Sequence, residues 1–329
     1  MYLCRFCFEV ALLYDNYMKR RDFFKKSAVI GAGAALTLNF EGLQAALESN
    51  SVILQTAPDM VAVMGGEPVA MLNRALDELG GIGKFVKSGQ KVVIKPNIGW
   101  DRVPERAGNT NPLLIAELVK KCLGAGASKV TVFDNTCDAW DKCYASSGIE
   151  AAVKAAGGTI VPGNEERYFK EVDLPRGIAL KKAKIHEALI DADIWFNVPI
   201  LKHHGGAKFT CAMKNYMGIV WDRRMFHSSD LQQCIADICT WSKKPVLNII
   251  DAYRVLHQNG PQGRSEADVA SVKSLIASTD IIAADVAALR LYNQVKPLTL
   301  EEASHIGKGE AFKLGTTNLD NLNIKRIQL

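Results

Sequence analysis

Several familiar signatures are missing from this chain of 329 residues, and each absence removes a class of chemistry. There is no Gly-x-x-x-x-Gly-Lys-Ser/Thr loop for nucleotide phosphates, no His-Glu-x-x-His zinc pair and no Gly-x-Ser-x-Gly elbow for a nucleophilic serine. P-loop hydrolysis, zincin proteolysis and α/β-hydrolase chemistry are thereby excluded. Cysteines number only 8, and the spacings Cys137 to Cys143 and Cys234 to Cys239 fit neither a zinc site nor a ferredoxin run. The chain therefore has no iron-sulfur motif of its own. Cys122, Cys137, Cys143, Cys211, Cys234 and Cys239 read as small buried hydrophobes, or as disulfide partners in an oxidising compartment. Repeats and low-complexity stretches are absent, and no apolar run approaches the ~20 residues that span a bilayer. The 40 basic residues are nearly balanced by 35 acidic ones, without the concentrated basic face that nucleic acid requires.

What is present begins with Arg20-Arg21, followed by Asp22-Phe23-Phe24-Lys25 and an uncharged stretch from Ser27 to Asn39. A basic start and an apolar run of roughly 7 to 15 residues make a secretory signal. The arginine pair marks the route of proteins exported already folded. Residues 18–46 are therefore expected to be a twin-arginine signal, its partner the twin-arginine translocon, and the mature chain periplasmic or otherwise extracytoplasmic. The small residues near Ala45-Ala46 match a cleavage point loosely, so a cleaved signal and an uncleaved anchor both stand. Residues 1–17 place Glu9 and Asp15 where a leader should be basic. They read as an upstream extension with Met18 as the start, and the Cys4-x-x-Cys7 pair within them would be lost with the signal. Beyond residue 45 remain 284 residues, enough for a large domain over 50–329 at ~100–200 residues per domain.

Within that domain, short β-branched apolar runs alternate with helical patterns. Met60 to Met64, Lys91 to Lys95, Lys129 to Phe133, Thr159 to Val161, Ile194 to Val198, Val246 to Ile250, Leu275 to Ser278 and Asn323 to Ile327 read as strands. Helices are expected over Pro68 to Leu79, from Pro112 behind the cap Asn111, over Ile149 to Ala156, Cys211 to Met217, Asp230 to Trp241 and Ile281 to Tyr292. Leu113, Leu114, Leu118 and Cys122 form the apolar stripe of the second helix, and the charged stretch Asn164 to Lys184 reads as a surface excursion. The alternation implies an α/β fold, a mostly parallel sheet with helices on both faces in three layers.

Ligands of such sheets gather outside the carboxyl ends of the strands. There the sequence places Lys95-Pro96-Asn97, Asp134-Asn135, then Lys202, His203 and His204 after Val198, and Asp251 after Ile250. The segment from Phe196 to His227 is the densest, adding Asn197, Lys208, Thr210, Lys214, Asn215, Arg223, Arg224 and His227. Lysines and arginines clamp phosphate or carboxylate, while imidazoles ligate metal or move protons. Gly205-Gly206 permits close backbone approach to a ligand, and Asn259-Gly260-Pro261-Gln262-Gly263 is a tight turn at the rim of the same cleft. Asp280 is placed as a helix cap, and Asp285, one turn later, as a buried or site-facing group.

Lys95-Pro96-Asn97, Thr110-Asn111-Pro112, Pro199 with Lys202 and His204, Thr210 with Lys214-Asn215 and Gly218, Asp251 with Gly260-Pro261-Gly263, and the Asp280/Asp285 pair together resemble the family called domain of unknown function 362, from about Met60 to Tyr292. Where the family often has a lysine directly after the proline, this chain has Ile200, so one basic contact is missing. Many relatives also carry a ferredoxin-type iron-sulfur module, absent here. The resemblance implies an α/β fold, twin-arginine export in some members, and no particular reaction.

Two functions follow as expectations. In the first, an exported, enzyme-like protein of unassigned reaction holds an anionic small molecule or a metal-bound cofactor. Lys95, Asn97, Lys202, Lys214 and Asn215 would bind the ligand, and His204, His227 and Asp251 would act as catalytic groups or hold a divalent metal. In the second, the chain is a non-catalytic partner of an exported iron-sulfur redox protein. A two-lobed binding protein would need a second similar lobe, which the sequence does not contain.

Overall fold

The computed structural model describes residues 57–329, so the arginine pair, the apolar stretch behind it, Cys4, Cys7 and the boundaries at residues 17 and 46 lie outside the described residues. Its strands are β1 (Met60–Met64), β2 (Lys91–Pro96), β3 (Lys129–Val132), β4 (Thr159–Ile160), β5 (Phe169–Asp173), β6 (Lys182–His186), β7 (Ile194–Val198), β8 (Ile200–His204), β9 (Lys208–Thr210), β10 (Leu247–Leu256), β11 (Val269–Ser278) and β12 (Ile324–Gln328). The main sheet runs β12-β1-β11-β10-β7-β2-β3-β4, with β8 joined to β10 and β9 to β8. Pairing is parallel except along β1–β11, β10–β11 and β8–β9.

Strands such as Lys91–Pro96 are buried on both faces, which is why they read as continuous apolar runs instead of alternating ones. Helices Pro68–Glu78, Pro112–Gly124 and Ile149–Ala155 cover one face. Leu231–Ile238, Ile281–Tyr292 and His305–Ala311 cover the other, completing three layers. The Asn111 side chain accepts the Leu113 N–H at 3.0 Å and Pro112 opens the helix, as the sequence implies. Its buried stripe is Leu114, Ile115, Leu118, Val119 and Cys122, whereas Leu113 faces solvent at 58% exposure, one residue off the stripe.

Three local expectations need correcting. The stretch Asn164 to Lys184 is no bare excursion: β5 pairs with β6, which begins in it, and Phe169, Leu174, Leu180 and Ala183 are buried while its charges stay outside. The segment after Val198 is a hairpin, β8 and β9, turning at Gly205-Gly206. And β10 does not stop at Ile250 but runs on to Leu256 against β11, so Asp251 sits inside a strand. The six cysteines among the described residues are free, and all except Cys137 are buried.

Candidate functional site

A polar row crosses four neighbouring strands. Lys95 in β2 is the register partner of Asn197 in β7, Asn197 of Asn248 in β10, and Asn248 of Ser278 in β11, all with no exposed surface. Polar groups cut off from water must find partners. Asn197 Nδ2 donates to Asn248 Oδ1 at 2.9 Å, Asn248 Nδ2 to the Ser278 carbonyl at 3.2 Å, and Asn215 Nδ2 to Asn197 Oδ1 at 2.8 Å. The chain ends where Lys95 Nζ donates to Asn215 Oδ1 at 2.7 Å. Asn215 belongs to the short helix Ala212–Asn215. That helix is pinned by the buried Asp285, whose carboxylate accepts the N–H groups of Ala212 and Met213 at 2.6 and 3.0 Å. Asp280 caps its own helix, accepting the Ala283 N–H at 2.9 Å.

Lys95 is the charged end of the row. Its ammonium lies 2.9 Å from Asp134 Oδ1, and both side chains are buried. The other Asp134 oxygen accepts the Ile98 N–H at 2.6 Å. Burial pulls the Lys95 amine below its ordinary range, and Asp134 opposes that pull. Gly218 makes room for the pair: a Cβ there would stand 1.8 Å from Asp134 Oδ1.

Beside this pair opens a cavity of about 720 Å³, lined by Asn97, Asp134, Asn135, Cys137, Lys202, His204, Thr210, Lys214, Asn215 and Arg223 and flanked by Trp100, Met217, Trp221 and Pro261. Lys202, held in β8 and only 1% exposed, donates to the Gly108 carbonyl at 2.6 Å and to Asn97 Oδ1 at 3.0 Å. Burial brings its amine down to about 7. Lys214 has no hydrogen-bond or ion-pair partner among the described residues, and burial, with the charges of Arg223 and Lys95 adding to it, brings it to about 8. Arg223 Nη1 donates to the Asn135 carbonyl at 2.9 Å and to Cys137 Sγ at 3.3 Å. None of these three cations has a carboxylate within ion-pair distance among the described residues. Arg224, by contrast, is paired with Asp222 at 3.2 Å.

The histidines and Asp251 fall differently. His204 Nδ1 accepts the N–H groups of Gly206 and Ala207 at 3.1 and 3.0 Å. Burial, then the Lys214 and Lys202 charges, push its pKa down to about 2, so the ring is neutral and its proton sits on Nε2. A ring with its Nδ1 lone pair spent on the backbone keeps its proton on Nε2 as a hydrogen-bond donor, without a free nitrogen for a metal. His227 lines the same cavity from an exposed position, and burial lowers its pKa, with Lys214 and Arg223 adding to that. Asp251 does not line the cavity: Oδ2 accepts the Asn111 N–H at 2.7 Å and Oδ1 the Tyr253 N–H at 3.1 Å. Burial raises it to about 6, and it anchors the start of the helix Pro112–Gly124. The expected trio of His204, His227 and Asp251 is therefore not brought together. Among the described residues no group of three or more His, Cys, Asp or Glu is placed to hold a metal ion.

Lys95, Asn97, Lys202, Lys214 and Asn215 do meet at one site, and Pro261 brings the Asn259–Gly263 turn to its rim, where Gly260 N–H donates to His203 Nδ1 at 3.0 Å. Asp134 as the partner of Lys95, the amide row through Asn197 and Asn248, Cys137, and the Trp100 and Trp221 walls are additions that sequence reasoning leaves unassigned. One signal points to the row: Asn197 is a single polar residue near the end of the otherwise apolar strand Ile194–Val198, and Lys95 and Asn248 each adjoin the apolar run of their own strand.

The fold and this cavity define a three-layer α/β domain with a site near the carboxyl ends of parallel strands, where Lys202, Lys214 and Arg223 have no carboxylate in ion-pair reach among the described residues. The chain belongs to the family described as a domain of unknown function (DUF362), which matches residues 92–290. β1 and the helix behind it precede the matched span. A thylakoid-associated protein of Synechocystis sp. is 28% identical over 242 residues, covering 71% of this chain and 73% of that protein. Among solved structures, the lactate racemase apoprotein from Thermoanaerobacterium thermosaccharolyticum is similar with 12% identity and a TM-score of 0.45, over 71% of this chain and 57% of that one.

Proposed function

We propose that the 720 Å³ cavity binds a small molecule through a carboxylate or phosphate group and exchanges protons with it, an enzyme-like role. One observation carries this reading: Lys202, Lys214 and Arg223 line a single cavity with no carboxylate in ion-pair reach among the described residues. Burying charge without a counter-charge costs several kcal/mol, and an anionic ligand supplies what the protein omits. Amines at about 7 and 8 sit where a general acid or base works near neutral pH. Lys202 is positioned to exchange the proton, Lys214 and Arg223 to hold the anion, and the His204 Nε2–H to orient it. Trp100, Met217 and Trp221 offer apolar surface to the rest of the ligand, and the volume falls within the ~300–1,000 Å³ of small-molecule sites.

Calorimetry with inorganic phosphate and with malonate tests this. Lys214→Met combined with Arg223→Gln should weaken binding roughly tenfold or more, as expected for loss of charge-assisted hydrogen bonds. Equal affinity in the double variant and the parent would sink the reading. Export through Arg20-Arg21 is part of the same proposal and has its own test below.

A further inference from the structure

A second cavity, of about 250 Å³, has no part in that proposal. Its lining brings together Arg176, Lys244 and Lys313 with Tyr216, Asn248 and Thr279, and includes no carboxylate. No carboxylate pairs with any of the three cations among the described residues. The Arg176 guanidinium donates to the Phe312 carbonyl and lies 5.8 Å from the centre of that ring. The Lys244 ammonium donates to the Cys239 carbonyl, and the Lys313 ammonium has no hydrogen-bond or ion-pair partner among the described residues. Burial, and beyond it the nearby Arg176 charge, lower the Lys244 amine below its ordinary range. Gathered like charges repel, and a counter-charge between them relieves that repulsion.

The floor of the cavity supplies an independent observation. Tyr216 is 1% exposed, yet its hydroxyl makes no hydrogen bond among the described residues. The hydroxyl of a largely buried phenol ordinarily finds a partner, here protein or a bound molecule. Asp280, next to Thr279 in the chain, is outside the lining and makes no ion pair with these cations among the described residues; its oxygens accept the Ala283 and Thr316 N–H groups, each at 2.9 Å.

We propose that this second cavity binds an oxyanion of phosphate size, either free or as the end of a small phosphomonoester, with Arg176, Lys244 and Lys313 meeting its charge and the Tyr216 hydroxyl donating from below. Three cations from three separate segments suit the spread charge of a tetrahedral oxyanion. The site lies apart from the larger cavity but touches the same buried chain: Asn248 is in its wall, and the chain ends on Lys95.

Phosphate calorimetry on the full chain should show two classes of site. Arg176→Gln with Lys313→Gln changes exposed side chains, with a circular dichroism melt checking the fold, and should weaken one class roughly tenfold or more while leaving the other. Tyr216→Phe removes only a hydroxyl and should weaken that same class several-fold. Lys214→Met with Arg223→Gln acts on the other class, so the two cavities stand or fall separately. Phenyl phosphate separates the sources: binding as tight as phosphate at the Arg176/Lys313 class means a monoester end, and exclusion from it means the free ion. Phosphate binding that Arg176→Gln with Lys313→Gln leaves unchanged overturns the proposal.

Discussion

Gly218→Ala puts the buried ion pair to a sharp test. The added Cβ would stand 1.8 Å from Asp134 Oδ1, 2.5 Å from Lys95 Nζ and 2.8 Å from Lys95 Cε, against a comfortable separation of roughly 3.5–4.0 Å. Side-chain tips often swing away from such a clash, but these two are tethered. Asp134 is held through its second oxygen by the Ile98 N–H at 2.6 Å, and Lys95 by Asn215 Oδ1 at 2.7 Å, with neither residue more than 2% exposed. Moving either one breaks the pair where water cannot replace it, at a cost of about 3–5 kcal/mol. For a domain of this size that is a fall in melting temperature of roughly 6–20 °C. Urea unfolding should show a lower midpoint with an unchanged slope. Gly83→Ala is the control, since nothing stands within 4 Å of its Cβ position, and it should stay within about 1 kcal/mol of the parent. Lys95→Met combined with Gly218→Ala should cost less than the sum of the two single changes, because both act on one pair. A Gly218→Ala protein as stable as the control, or strictly additive costs, would refute the tethered-pair reasoning.

Other outcomes follow from the same structure. Leu118→Ala, at a site with no exposed surface, should cost about 2–5 kcal/mol through a core cavity, measured by urea unfolding. His204→Ala should cost about 1–2 kcal/mol, since its Nδ1 carries two backbone bonds, and should also weaken anion binding in calorimetry; unaltered binding would remove it from the site. Lys202 and Lys214 lose protons near 7 and 8 in the folded chain but keep them toward the ordinary 10.5 when unfolded. The unfolded chain therefore binds more protons above about pH 7, and the part of stability due to these amines rises with pH. Melting temperatures taken from about pH 7 to 8.5 without phosphate should climb more steeply for the parent than for Lys202→Met with Lys214→Met, and parallel curves would count against the depressed amines. Arg20→Lys with Arg21→Lys should leave the protein in the cytoplasm on fractionation, and undiminished export would end the signal reading.

Much of the layered architecture is legible in the sequence because its signals are local. A strand buried on both faces is a short apolar run wherever it lies, so β1, β2, β3 and β7 stand out. Helix starts announce themselves through Asn111-Pro112 and Asp280, residues that satisfy free N–H groups within their own turn. The rule that ligands collect at the carboxyl ends of parallel strands then brings Lys95, Asn97, Lys202, Lys214, Asn215, His204 and His227 to one place without coordinates.

That rule fails for Asp251, since strand length is decided by the neighbouring strand. β11 supplies hydrogen-bond partners past Ile250, so the chain stays extended through a carboxylate that looks like a strand end. The chemistry of the charges is likewise invisible to any local pattern. Lys95, Lys202 and Lys214 are the same residue type in similar company, yet only Lys95 finds a carboxylate, across 39 residues of sequence at Asp134. Attraction between charges depends on distance in space and on exclusion of water. The sequence by itself determined the layers and the neighbourhood of the site, and only the tertiary structure decided which lysine is paired and which cations remain open to an anion.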